Sequence, residues 1–138
     1  MSMKSISELQ KDLDAIREQL VGVFRPNGLF LIPKSPTNTG SAHAEIVDGK
    51  YHYVVTERGS EFERRVAENE DELLYWFVSD SIFSIACAWE LENRKQNEDH
   101  RKQLFSRQIE LLQKINPKWA AKKQKYHEQV LVDNPFTS

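Results

Sequence analysis

Hydrophobic residues near the N-terminus recur at spacings of three and four, which predicts a helix. Its apolar stripe consists of Ile6, Leu9, Leu13, Ile16 and Leu20. Such spacing places side chains on one face of an α-helix. Ser5 and Glu8 have the spacing of a capping box at its start, and Gly22 and Pro26 predict its end. The sequence therefore predicts an amphipathic N-terminal helix within residues 1–24.

Residues 25–41 contain three prolines and two glycines and predict a loop. Within this loop, residues 29–32 are apolar and predict one short strand. The loop separates the N-terminal helix from a region with a different hydrophobic pattern.

Between residues 42 and 67 the pattern favours strands. Asp48-Gly49 suits a two-residue type I′ hairpin turn, because both residues adopt positive φ at low cost. A second turn is predicted at Gly59-Ser60. In the run that follows, Phe62 and Val66 alternate with charged neighbours, as on a strand with one solvent-facing side. Residues 42–67 are therefore expected to form a short antiparallel β-meander.

The remaining residues, 69–132, predict three helices. Asn69 is a good N-cap, and Glu72 follows at the capping-box distance. Residues 73–91 are apolar around most of the helix circumference, so this helix is expected to be central and buried. Asn116-Pro117 predicts the start of the last helix. The helix between them has a largely apolar stripe, formed by Leu104, Phe105, Leu111, Leu112 and Ile115 together with Gln108. The expected fold is α+β, in a single domain spanning residues 1–138.

Composition agrees with a globular protein, since 39% of the 138 residues are hydrophobic and 29% are charged. The first 20 residues include several acidic side chains and no continuous apolar run, unlike a signal peptide. The apolar stretch 73–91 is interrupted by polar residues, unlike a bilayer-spanning helix. We therefore expect a cytoplasmic protein with no membrane partner.

The sequence gives little indication of catalysis. Cys87 is the only cysteine, and its apolar surroundings favour an inert thiol. No glycine-rich phosphate-binding loop is present. His43, Glu45 and His52 could meet across the first hairpin as a metal site, but facing histidines on a solvated sheet are far more common. We therefore expect no catalytic residues, metal or cofactor, and a protein that is not an enzyme.

Charge is unevenly distributed along the chain, although the net charge is only −2. Residues 57–99 carry twelve acidic and five basic side chains, whereas residues 100–138 carry three acidic and eight basic ones. Lys118, Lys122 and Lys125 share one face of the last helix, which leaves RNA binding as an alternative. A chain pI near 6.1 favours a solvated lysine face and no nucleic-acid partner.

The acidic segment is the better candidate for recognition. Seven carboxylates fall within sixteen residues: Glu57, Glu61, Glu63, Glu68, Glu70, Asp71 and Glu72. Carboxylates beside aromatic residues such as Tyr51 and Tyr53 are typical of a protein-binding surface for a basic partner. Some of these carboxylates also suit the start of any helix, so the charge alone leaves both interpretations open.

The order of several short motifs resembles the immunity protein 63 family of bacterial polymorphic-toxin and contact-dependent inhibition loci. The resemblance covers roughly residues 50–136. It rests on Tyr53-Val54-Val55-Thr56-Glu57-Arg58-Gly59, Glu61, Glu63-Arg64-Arg65, Asp71-Glu72-Leu73-Leu74-Tyr75-Trp76, Trp89-Glu90-Leu91, Arg94, Arg101, Leu104-Phe105, Gln108-Ile109-Glu110-Leu111-Leu112, Pro117-Lys118-Trp119 and Asn134-Pro135-Phe136.

The resemblance implies a bacterial cytoplasmic antidote that binds and occludes the C-terminal domain of a cognate toxin. Toxins of such loci are often nucleases with basic substrate sites, so a nuclease is the expected target. Immunity surfaces must differ between loci, which favours contact residues outside the shared motifs. The predicted partner-binding residues are Glu61, Glu68, Glu70, Asp71, Tyr51 and Tyr53. The remaining alternative is an adaptor that assembles through its N-terminal helix.

Overall fold

The computed structural model describes residues 3–20, 22–23 and 27–138. Its fold is α+β, as predicted. The elements are, in chain order, α1 Ile6–Glu18, β1 Thr39–Val47, β2 Lys50–Glu57, β3 Ser60–Val66, α2 Glu70–Glu92, α3 Arg101–Ile115 and α4 Pro117–Asp133.

The chain divides into two compact units. The first comprises residues 1–18 and 28–80, and therefore holds α1, the sheet and the beginning of α2. The second comprises residues 19–27 and 81–138, with the rest of α2 and both later helices.

The predicted capping box begins α1. The backbone N–H of Glu8 donates to the hydroxyl of Ser5 at 3.2 Å, and the N–H of Ser5 donates to the carboxylate of Glu8 at 3.0 Å. The helix ends at Glu18, slightly before the predicted Gly22. Pro26, the second predicted stop, lies outside the described residues.

The strand predicted at residues 29–32 does not form. Phe30 has φ 58°, which is incompatible with an extended strand. Gln10 supplies the missing backbone partners instead, because its amide nitrogen donates to the carbonyl of Phe30 at 2.9 Å and its amide oxygen accepts from the N–H of Ile32 at 2.7 Å. One side chain of α1 thus fixes the loop at its two buried residues, Phe30 and Ile32.

The three strands form an antiparallel sheet in the order β1-β2-β3, which confirms the predicted meander. Asp48 and Gly49 both have positive φ, as the predicted type I′ turn requires. The second turn uses Arg58 and Gly59, one residue earlier than predicted, and Arg58 also has positive φ. Strand β3 consequently begins at Ser60.

Strand β3 orients its side chains differently from the prediction. Register pairs Arg65 with Tyr53 and Glu63 with Val55, so charged residues of β3 share the face of the sheet that carries both tyrosines. Phe62 is 68% exposed and Val66 is also exposed. The expectation that these two apolar residues mark a protected face was therefore wrong. The many charged side chains protect β3 as an edge strand.

The beginning of α2 packs against the sheet through Tyr53. The ring of Tyr53 meets Trp76 and Phe77 edge-on, with centroids 5.6 and 5.2 Å apart. Arg65 extends over the same tyrosine ring, with its guanidinium carbon 4.5 Å from the centroid. The side chains around Tyr53 thus tie the beginning of α2 to the sheet in the first unit.

In the second unit, α3 and α4 form an antiparallel pair around a sharp junction. Asn116 caps α4, because its side-chain oxygen accepts from the N–H groups of Lys118 and Trp119. Pro117 occupies the first helical position, as predicted. The core of this unit includes Leu104, Leu111, Leu112, Trp119 and Ala120, all buried.

Helix α2 is less enclosed than its sequence predicts. Ile82, Ile85 and Ala86 are buried, but Phe83 is 48% and Leu91 is 64% exposed. Among the described residues, no helix has the length and hydropathy that crossing a bilayer requires.

Candidate protein-binding groove

A surface groove of about 670 Å³ lies in the first unit, where three chain segments meet. Met3 and Lys4 line it from the N-terminus, residues 49–51 line it from the β1-β2 hairpin, and residues 67–71 line it from the start of α2. The hairpin reaches this position because Ala67 donates its N–H to the carbonyl of Tyr51 at 2.9 Å. This bond extends the pairing of β2 past the end of β3.

Three carboxylates predicted as contacts, those of Glu68, Glu70 and Asp71, line this groove. Their shared location follows from local structure. Asn69 caps α2 by accepting from the N–H of Glu72 at 2.9 Å, so the acidic residues on either side of the cap lie at the helix N-terminus. The same N-terminus faces the groove.

Lys4 lies next to one of these carboxylates, that of Glu70. Its ammonium lies 2.9 Å from the carboxylate of Asp12 but 3.9 Å from that of Glu70. The hydrogen bond from Lys4 to Asp12 raises the pKa of Lys4 above its ordinary value, and the charge of Glu70 adds to the effect. Because Asp12 already pairs with Lys4, Glu70 is only partly neutralised.

The register of β2 and β3 ends with His52 opposite Val66, and the bond between Ala67 and Tyr51 continues it by one residue. The next position in the same register places Lys50 opposite Glu68. Both line the groove and both are exposed. The carboxylate of Glu68 has no hydrogen bond or ion pair within the described part of the chain; only its backbone N–H is used, donating to Glu72. Glu68 is therefore available to a cationic partner.

Tyr51 forms the floor of the groove. It is almost completely buried, and its hydroxyl donates to the backbone carbonyl of Lys4 at 2.6 Å. Burial raises the pKa of Tyr51, and the charges of Glu70 and Glu8 raise it further. Burial is the larger cause, so the raised pKa mainly reflects the loss of solvent around the tyrosine hydroxyl.

Two predicted contact residues lie outside the groove. Tyr53 is only 4% exposed, and its hydroxyl donates to the carboxylate of Asp80 at 2.6 Å. Burial and this bond raise the pKa of Tyr53 strongly. Glu61 lies on β3, where both of its oxygens accept from the guanidinium of Arg64 at 2.8 and 3.0 Å. Tyr53 is a core residue, and Glu61 belongs to a separate ion-pair network.

Sequence reasoning missed the part that Lys4 and Lys50 play in the groove. Both are basic residues, whereas the sequence predicted a partner surface of carboxylates and aromatic side chains. Lys4 is also 64 residues away from Glu68 in the chain, so only tertiary structure brings them to one groove.

The opposite face of the sheet brings together the residues considered as a metal site. His43 is fully buried and its Nε2 lies 2.7 Å from Glu45, while Glu45 is paired with His52 across the strands. A guanidinium occupies the space between them, because Arg64 contacts Glu45 at 3.2 Å and Nδ1 of His52 at 3.0 Å. Two hydrogen bonds lower the pKa of Glu45, and the bond with His43 has a larger effect than the bond with Arg64. Within the described residues, no group of three or more metal-ligating side chains forms a site.

Cys87 lies half-buried on α2. Burial raises the pKa of its thiol, and the nearby charge of Glu90 adds to this. A raised pKa keeps the thiol protonated at neutral pH, which is unfavourable for a nucleophile.

The two alternative interfaces differ in exposure. The predicted lysine face is exposed on α4 at Lys118, Lys122 and Lys125, and RNA binding there stays a prediction. The apolar stripe of α1 is not available for assembly, because Ile6, Leu9 and Leu13 are buried within the chain. This burial removes the basis for an adaptor that dimerises through its N-terminal helix.

The charge of the chain is divided between its two units. The first unit carries fourteen acidic and eight basic side chains, whereas the second carries seven acidic and eleven basic ones. The groove thus lies on the acidic unit. A field of this sign attracts a basic macromolecule and repels nucleic acid.

Comparison with known proteins identifies the family of this chain. The family model for immunity protein 63 matches residues 48–129, which is more than half of the sequence. The chain therefore belongs to the immunity protein 63 family, as its motifs predicted. The match includes residues 49–51 and 67–71, which line the groove. Neither the curated proteins nor the solved structures include a significant match.

Proposed function

We propose that this member of the immunity protein 63 family neutralises the C-terminal domain of a cognate contact-dependent or polymorphic toxin by binding it through the acidic groove. The family match carries the assignment to immunity. The convergence of Glu68, Glu70 and Asp71 on one groove supports this surface as the contact.

The groove combines features that suit a basic protein surface. The available carboxylate of Glu68 and the partly neutralised Glu70 offer charge, and the buried ring of Tyr51 offers a rigid floor. A lysine or arginine of the toxin would meet carboxylates at the rim while its alkyl stem covers the floor. Contacts of this kind fix the orientation of the partner as well as holding it.

A nuclease is the expected toxin because its substrate site is basic. An acidic surface would accelerate encounter with such a site through long-range attraction. Once bound, the immunity protein would cover the surface that the nucleic acid needs. Neutralisation then requires only binding, and no chemical step.

The experiment measures protection and association together. The chain is co-expressed with the C-terminal domain of the toxin encoded directly upstream, and growth is followed after induction of the toxin. We expect the wild-type chain to restore growth, and the doubly substituted Glu68→Lys/Glu70→Lys variant to lose protection. Surface-immobilised toxin should bind this variant more slowly and with a weaker dependence on salt.

Two exposed carboxylates of α4 provide a matched control. The substitutions Glu128→Lys and Asp133→Lys change the net charge by the same amount, but both lie in the second unit. This control should protect as well as the wild type. Persistent growth arrest with the wild-type chain would refute the immunity function. Equal protection by both variants would refute only the groove as the contact.

A further inference from the structure

Three of the four large exposed apolar residues in the strands share one face of the sheet. This face, opposite the one with both tyrosines, is called the histidine face because it carries His43 and His52. Val47 is 38%, Val66 is 46% and Phe62 is 68% exposed. Apolar side chains that gather on an exposed face are typical of a surface that binds another protein.

A bulge in β3 turns Phe62 toward the histidine face. Register pairs Glu63 with Val55 and Glu61 with Thr56, so Phe62 is the extra residue of the shift. Because Glu63 lies on the face with both tyrosines, the preceding Phe62 projects to the other side. Bulges occur preferentially beside functional sites, where they redirect a side chain. The backbone of β3 thus directs the ring of Phe62 away from the core.

The histidine face is continuous with the acidic groove. Val47 is the cross-strand partner of Lys50, and Val66 lies two residues before Glu68 on the same side of the chain. Both Lys50 and Glu68 line the groove. A protein that enters the groove at these two residues therefore reaches Val47 and Val66 without crossing other surface.

The groove by itself is too small for a stable protein interface. Ten described residues line it, whereas a specific interface takes about 20–30 residues on each side. A toxin seated in the groove therefore also covers adjoining surface. Specific interfaces combine an apolar centre with a polar rim. The groove supplies carboxylates for such a rim, and the histidine face supplies apolar side chains for such a centre.

The charge that lies between the apolar residues of β3 is already paired. Arg64 stands between Phe62 and Val66, and it donates to both oxygens of Glu61 at 2.8 and 3.0 Å and to Glu45 at 3.2 Å. Covering a paired guanidinium costs less than covering a lone charge, because its N–H groups keep their acceptors. A partner can therefore exclude water from this face without breaking the hydrogen bonds of Arg64.

We infer that the toxin covers the histidine face together with the acidic groove, with Phe62 and Val66 as the apolar anchors of the contact. The inference rests on the proposed immunity function and adds the chemistry of the partner. The toxin presents an apolar or aromatic side chain next to the basic residue that enters the groove. Charges at the groove then set the rate of association, and the apolar anchors set the rate of dissociation.

The doubly substituted Phe62→Thr/Val66→Thr variant tests the anchors. Threonine keeps the strand propensity of β3 while it removes most of the apolar contact. The immobilised C-terminal domain of the toxin encoded directly upstream should release this variant about tenfold faster than the wild type. Its association rate and the salt dependence of that rate should be unchanged. The groove variant Glu68→Lys/Glu70→Lys should instead associate more slowly.

Calorimetry of the same complexes separates apolar burial from charge. Burying apolar surface makes the heat-capacity change of binding negative. This change should be less negative for Phe62→Thr/Val66→Thr than for the wild type, and Glu68→Lys/Glu70→Lys should leave it nearly unchanged. Thermal unfolding of the free proteins should show that both variants fold.

Leu91→Gln/Val132→Gln is the matched control. Leu91 is 64% and Val132 is 73% exposed, on helices α2 and α4 of the second unit. Glutamine is a good helix former, so the substitutions remove exposed apolar side chains without disturbing the helices. The toxin should bind and release this control like the wild type.

Each contrary outcome has a distinct meaning. A wild-type chain that does not bind the toxin would refute the immunity function and this inference with it. Wild-type binding with unchanged dissociation of Phe62→Thr/Val66→Thr would refute the anchors alone. Equally fast dissociation of the Leu91→Gln/Val132→Gln control would show that the effect is not specific to the histidine face. In sedimentation velocity of the free chain, a dimer that Phe62→Thr/Val66→Thr abolishes would assign this face to a second copy and overturn the inference.

Discussion

The ammonium of Lys4 lies 2.9 Å from the carboxylate of Asp12, eight residues later in the chain. Their pairing matters for the groove because the same ammonium lies 3.9 Å from Glu70. Asp12 draws the lysine charge toward α1 and away from the start of α2. The negative potential of the groove therefore depends on a residue that does not line it.

Substitutions of Lys4 and of Asp12 should change the rate of association with the toxin in opposite directions. Lys4→Met leaves Glu70 without its nearest cation, so association should be about two- to threefold faster at low salt. Asp12→Asn frees Lys4 to neutralise Glu70, so association should be slower by a similar factor. Stopped-flow or biosensor kinetics at several salt concentrations measure both. A change in the same direction for both variants would contradict the electrostatic explanation.

Tyr53 should contribute to stability and not to recognition. Its hydroxyl donates to the carboxylate of Asp80 at 2.6 Å, and hydrogen bonds to charged groups are the stronger ones. Tyr53→Phe should lower the free energy of unfolding by about 2 kcal/mol in urea titrations. Toxin affinity of the folded variant should be unchanged.

Tyr51→Phe is the matched control for this substitution. The hydroxyl of Tyr51 donates to the neutral carbonyl of Lys4, also at 2.6 Å, so its loss should cost only about 1 kcal/mol. Equal losses for the two variants would argue against a special contribution of the Tyr53–Asp80 bond.

His127 should make the second unit sensitive to acid. Its ring stacks on Phe105 with centroids 4.0 Å apart, and burial followed by the charge of Lys123 lowers the pKa of His127 to about 4. In the unfolded chain His127 is protonated as the pH falls through 6.5, whereas in the folded chain it is protonated only near pH 4. Stability is therefore lost as the pH falls through this window.

The variant His127→Phe tests this pH dependence. Between pH 7 and pH 4.5, the wild type should lose about 2 kcal/mol more unfolding free energy than the variant. Urea titrations of both proteins at the two pH values measure the difference, and any effect of the substitution that does not depend on pH cancels. Parallel losses in the two proteins would show that other groups cause the acid sensitivity.

The C-terminal residues should be released when Asp99 is neutralised. Arg101 donates to both oxygens of Asp99 and to the carbonyls of Asn134 and Pro135, while the N–H of Thr137 donates to Asp99. The hydrogen bonds from Arg101 lower the pKa of Asp99 well below its usual range. Asp99→Asn should weaken this arrangement and speed carboxypeptidase removal of the last residues several-fold.

Lys102→Gln serves as the comparison, because the ammonium of Lys102 lies over the ring of Phe136 and, within the described residues, its side chain makes no hydrogen bond to Asp99 or to the C-terminal backbone. Digestion followed by mass spectrometry should show that Lys102→Gln loses its last residues at nearly the same rate as the wild type. Equal digestion of Asp99→Asn and wild type would mean that Arg101 holds the C-terminus without its carboxylate partner.

Much of the local structure could be predicted because its causes lie within a few residues. The capping box of Ser5 and Glu8, the turn at Asp48-Gly49 and the cap at Asn116 each depend on neighbours in the chain. Three of the six predicted contact residues, Glu68, Glu70 and Asp71, line one groove for the same reason, because they surround the cap of α2. Tyr51 reaches the same groove through its pairing with Ala67, sixteen residues later.

The sequence by itself determined the order of the elements, the sites where they begin and the family to which the chain belongs, because helix caps, turns and motifs are read within short windows. Only the tertiary structure decided which side chains face solvent. Strand register placed Arg65, and not Phe62, on the face that packs against α2. The tertiary structure also brought Lys4 to the acidic groove and left Phe83 and Leu91 exposed, because burial depends on contacts between residues that are distant in sequence.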